Sequence, residues 1–139
     1  MAKQVFKNAM ILLNAQDISN YCDEVTIETT RDEVEVTGFQ AANKEILAGL
    51  GDATITLSVF QDFSAAAIDA LLWPLSTSNT PFTVEVRPTN AARSVTNPAY
   101  VMSCLLFTYN PIAGKVGDAL QTPVTLRNAT QAGLTKATS

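Results

Sequence analysis

Between Ala53 and Val59 the chain alternates without a break, with Ala53, Ile55, Leu57 and Val59 on one side and Thr54, Thr56 and Ser58 on the other. Successive side chains leave a pleated strand on opposite sides, so this period of two predicts a strand with one face buried and one face wet. The pattern recurs at Val25 and Ile27, at Val34 and Val36, at Phe82, Val84 and Val86, and at Val124 and Leu126, each set separated by Thr, Glu or Arg. Two runs, Phe6 to Leu13 and Tyr100 to Tyr109, are apolar on both sides, as strands covered on both faces are. β-Branched residues, which suit a pleated surface, fill most of these runs.

One stretch departs from period two. Ser64 to Leu72 is rich in Ala and Leu, with Ile68, Leu71 and Leu72 on one stripe, and predicts a helix capped by Ser64 or Asp62. Pro74 predicts its end near Trp73, which is expected to anchor that end in the core. Gly38 to Gly51 has no clear period and reads as a long inter-strand loop. Gly51-Asp52-Ala53 and Gly117-Asp118-Ala119 read as a shared turn-into-strand pattern. The expected fold is all-β: an antiparallel β-sandwich or open barrel of about seven strands with one short flanking α-helix. At 139 residues the chain is expected to form a single domain over residues 1–139.

Charged residues are 16% of the chain, against a usual share of roughly 25%, while Thr alone occurs 17 times. Such a surface is cheap to desolvate and suits burial against other copies, although a monomeric β domain with a Thr-rich face fits equally well. The net charge of −4 lies wholly in residues 1–50, mostly from Asp23 to Glu35. No cluster of Lys and Arg offers stable binding to phosphates. The apolar run Ala9–Leu13 is too short for a signal peptide or a membrane span, so the chain is expected to be soluble, without a membrane anchor, and made in the cytoplasm.

Catalytic chemistry finds little to work with. The chain has no His, which removes the commonest general base and most zinc sites. Cys22 and Cys104 are isolated in sequence and read as small buried apolar residues; no phosphate-cradling Gly motif occurs. The acidic pairs Asp23-Glu24 and Asp32-Glu33 point to opposite faces of a strand and read as a solvated surface. The expectation is no enzyme activity, no cofactor and no metal.

The order of signals resembles the tail tube proteins of long-tailed siphophages. Asp17-Ile18-Ser19 leading into the Val25 strand resembles that family's opening, and Asp32-Glu33-Val34-Glu35-Val36-Thr37-Gly38-Phe39 and Gly49-Leu50-Gly51-Asp52-Ala53 are similar to its next two segments. Leu72-Trp73-Pro74-Leu75, Pro81 to Pro88, Thr96-Asn97-Pro98 and Tyr109 to Asp118 follow in the same order. The resemblance implies a virion tail protein that forms hexameric rings stacked into a hollow tube, related to type VI secretion tubes. Its implied partners are further copies and the tape-measure, tail terminator and baseplate proteins, with DNA passing through a neutral or acidic bore. A β-sandwich binding or adhesion module, or another tail protein such as a completion or minor tail protein, is the alternative. Ring stacking is assigned to the Gly38–Gly51 segment, assisted by the N-terminal arm. Phe39, Ile46, Leu47 and Leu50 are its apolar contacts, and Arg31, Asp32, Lys44 and Glu45 set its register. Otherwise the segment folds back as a lid on its own core.

Overall fold

The computed structural model describes residues 3–139. Eight strands and one α-helix follow in the order β1 (Met10–Leu13), β2 (Gln16–Asp17), β3 (Cys22–Glu35), β4 (Ile46–Phe60), α1 (Ile68–Ser76), β5 (Phe82–Arg87), β6 (Ala99–Tyr109), β7 (Gln121–Asn128) and β8 (Thr135–Ala137). All pair antiparallel in one sheet of order β2-β1-β5-β6-β7-β4-β3, and β8 pairs with the first part of β6. The sheet is open, with the β1–β2 hairpin at one edge and β3 at the other. The open form of the all-β expectation therefore holds. Among the described residues no helix is long and apolar enough to cross a membrane.

The alternation seen in sequence sets the core. Ile55, Leu57 and Val59 of β4, Val84 of β5, Met102 and Cys104 of β6, and Val124 and Leu126 of β7 all point inward and are buried. The helix covers this inner side. Ile68, Leu72 and Leu75 are buried at i, i+4 and i+7, one stripe of a 3.6-residue period, and Leu71 is half-buried against the same cluster.

The helix is displaced from its expected bounds. It starts at Ile68 because Ala66 sits at φ 61°, outside right-handed helical space. Asp62 caps the preceding turn, its side chain accepting the Ser64 N–H at 2.9 Å. Pro74 lies inside the helix, which continues to Ser76, and the Ser76 and Thr77 hydroxyls donate to the carbonyls of Trp73 and Pro74. Trp73 is consequently not an anchor. It is the next residue after buried Leu72, rotated about 100° around the helix, and it stands 55% exposed.

Other expectations shift as well. Only Met10–Leu13 of the Phe6–Leu13 run is strand, and Phe6 is exposed, as is Phe60 at the end of β4. Gly51-Asp52-Ala53 lies within β4, whereas Gly117-Asp118-Ala119 lies in the connection before β7, so the two do not share a structural role. The polar connection between β5 and β6 is tied down by buried Asn97. Its side-chain amide donates to the carbonyls of Thr89, Ala91 and Ala92 and accepts the Thr89 N–H. Those bonds satisfy backbone groups that a loop would otherwise leave unpaired. Glu85, also buried, faces Arg87 and Arg93; its contact with Arg87 Nε, at 2.9 Å, is electrostatic, since that N–H makes no hydrogen bond.

Candidate assembly interface

The alternating stretches around Val25 and Val34 belong to one strand of 14 residues, and its partner β4 has 15. These two strands outrun the sheet. β4 pairs with β7 only from Thr54 to Phe60, while β3 continues alongside β4 to the Glu35↔Ile46 pair. Beyond Thr29 and Ala53 the pair is a free two-stranded arm. The expected loop over Gly38–Gly51 is thus part strand: residues 46–51 belong to β4, and residues 36–45 form the connection. That connection is folded back by the Val36 N–H on the Glu45 carbonyl and the Glu45 N–H on the Thr37 hydroxyl, both 2.9 Å. The arm does not cover its own core.

Every residue from Glu28 to Gly51 is exposed. The arm carries apolar side chains on both faces: Val34 lies opposite Leu47, Ile46 opposite Glu35, Leu50 is 81% exposed, and Phe39 stands fully exposed in the connection. The structure thus collects Arg31, Asp32, Phe39, Lys44, Glu45, Ile46, Leu47 and Leu50 on this one projection. None of the three ion pairs among the described residues uses Arg31, Asp32, Lys44 or Glu45. A two-stranded ribbon without a buried face is marginal in water, and exposed apolar residues gathered on one projection mark a partner surface.

The second surface is the outer face of β3, β4, β7 and β6, opposite the helix. Register aligns Glu24, Ser58 and Pro123 in one row, Thr26, Thr56, Thr125 and Thr108 in the next, and Glu28, Thr54, Arg127 and Leu105 in a third. This face is hydroxyl-rich and sparsely charged. Asp52 lies on it one pleat beyond Thr54, and its Oδ2 accepts from the Arg127 guanidinium at 2.5 Å. Sequence patterning did not point to that pair, because its members are 75 positions apart.

The remaining polar contacts are structural. The Tyr109 hydroxyl donates to Asp69 of α1 at 2.5 Å and accepts from Gln61, clipping the helix to β6. Burial and the Asp69 carboxylate push its pKa up to about 12. Burial pushes the Cys104 thiol up to about 12, and burial with the Asp23 and Asp17 charges does the same to Cys22. Both thiols stay protonated at neutral pH, the unreactive form. Among the described residues no group of three or more His, Cys, Asp or Glu side chains is placed to hold a metal ion.

No protein-family model and no curated protein matches the sequence. Solved structures do match, over almost the whole chain. A chain in the virion of a native gene transfer agent particle aligns with a TM-score of 0.76 at 14% identity, covering 97% of this chain and 99% of that one. A chain in the tail of an empty gene transfer agent particle, with C6 symmetry, aligns at 0.75 and 16% identity, covering 96% and 98%. This chain has their fold. A chain of the sheath–tube complex of the extracellular contractile injection system PVC, in its extended state, shares it at a TM-score of 0.71 and 14% identity, covering 99% of this chain and 93% of that one.

Proposed function

We propose that this chain is a structural subunit of a bacteriophage-type tail tube, assembling as hexameric rings that stack into a hollow conduit. The observation that carries the reading is the alignment of at least 96% of this chain with chains from a virion, a C6 tail and a sheath–tube complex, each itself at least 93% covered. Almost every residue of the given sequence therefore lies within the shared fold.

The geometry supports specific roles. The free edge of β3 and the β1–β2 edge at the far side of the sheet are the surfaces that ring closure joins, since an unpaired edge otherwise invites indiscriminate pairing. The arm reaches beyond the ring to a neighbouring ring. There Phe39, Ile46, Leu47 and Leu50 bury their apolar surface, while Arg31, Asp32, Lys44 and Glu45 fix the register by opposite charges. The outer face of β3, β4 and β7 faces the bore. Its Thr and Ser hydroxyls, with Glu24 and Glu28, give passing DNA no phosphate anchor and repel it weakly. Tape-measure, terminator and baseplate proteins are the partners of such a tube, and the assembled virion tail is its location.

Negative-stain microscopy of the recombinant protein tests the reading. Filaments of uniform width with a central channel are expected. A preparation that stays monomeric at high concentration, with no rings or filaments, contradicts it.

A further inference from the structure

Arg127 is the one cation that strand register places on the β3–β4–β7–β6 outer face among the described residues. Its side chain is about half exposed, as is that of Asp52, so their ion pair adds little to stability. Its geometry is nevertheless fixed. The two oxygens of Asp52 divide their work: Oδ1 accepts the N–H of Ala53 at 2.8 Å, which sets the side-chain rotamer, and Oδ2 is left aimed at Arg127. The Arg127 hydrogen bond, followed by that of Ala53, holds the Asp52 carboxyl below the usual carboxylate range, so it remains ionised.

We propose that Asp52 masks Arg127, keeping the one cation that register places on this face among the described residues from gripping the phosphates of a polyanion. The inference rests on the tube reading for its purpose, since a C6 ring would repeat an unmasked arginine six times at one level of the bore. Arginine forks match phosphate as well as they match carboxylate, so an unoccupied guanidinium would capture a phosphate. A passing duplex would then meet a ladder of such contacts, one set per ring. With the carboxylate in place the guanidinium's charge is neutralised and its Nη2 donor is engaged.

The free subunit exposes this face and allows a test that does not require assembly. Fluorescence anisotropy of a labelled short duplex is followed at low ionic strength for wild type, Asp52→Asn, the double variant Asp52→Asn/Arg127→Gln, and the charge control Asp118→Asn on an exposed turn. Asn at position 52 keeps an acceptor for the Ala53 N–H and loses the charge. The Asp52→Asn subunit is expected to bind more tightly than both wild type and the control. One added phosphate contact steepens its log–log salt dependence by about 0.9. The double variant, whose net charge equals that of wild type, is expected to return to wild type. Equal binding by Asp52→Asn and Asp118→Asn, or tighter binding that survives removal of Arg127, overturns the proposal. Assembled tubes then separate masking from location. If free Asp52→Asn subunits bind DNA more tightly but their tubes hold no more than wild-type tubes, masking stands and the bore assignment fails.

Discussion

The body and the arm are built from the same two strands, yet they obey different rules. In the body, β4 from Thr54 to Val59 lies between β3 and β7, and its inner side chains Ile55, Leu57 and Val59 are buried. In the arm, β4 from Ile46 to Gly51 has only β3 beside it, and every residue is exposed. Backbone pairing continues across the boundary, whereas burial stops there. Since burial supplies most of the free energy of folding, the body stands alone and the arm needs a partner.

The largest expected effects lie in the body. Leu72→Ala, at a fully buried position of the helix stripe, should destabilise the subunit by about 2–5 kcal/mol in denaturant unfolding. Half-buried Leu71→Ala should lose about 1–2 kcal/mol, and Trp73→Ala should stay within ~0.5 kcal/mol. Equal losses at all three positions would mean that the helix buries a different side. In the arm the effect on folding should be smallest and the effect on assembly greatest. Ile46→Ser combined with Leu47→Ser should leave the unfolding free energy within ~0.5 kcal/mol of wild type and abolish filaments in electron micrographs. Filaments of wild-type length together with a loss of stability would assign these residues to the subunit's own core.

The same contrast governs what could be read from the sequence. A strand with one buried face must alternate, so the β4, β5 and β7 cores were visible in the spacing of Ile55, Leu57, Val84, Val124 and Leu126. Ile46 to Gly51 is a strand with no buried face in the subunit, so nothing forced it to alternate and it resembled a loop. Phe39, Ile46, Leu47 and Leu50 are still exposed apolar side chains on that projection, a feature legible in the sequence whatever the backbone does. The helix was visible in composition, but its start was not: Ala66 adopts φ 61° although alanine favours helix, a choice made by the surrounding structure. Trp73 does not anchor the helix end in the core, because its angular position beside Leu72 turns it to solvent. β8, of three residues, is too short to show a period, and pairs such as Asp52–Arg127 are created by strand register.

Amide hydrogen exchange, measured on the free subunit and on assembled tubes, tests the central claim most directly. Amides of residues 55–59 should be protected in both states, because β4 there is hydrogen-bonded inside a covered sheet. Amides of residues 46–51 should exchange rapidly in the free subunit and become strongly protected in tubes, as a neighbouring ring covers the arm. Arm amides already protected like the body in the free subunit, or still unprotected within intact tubes, would contradict an arm that exists to join one ring to the next.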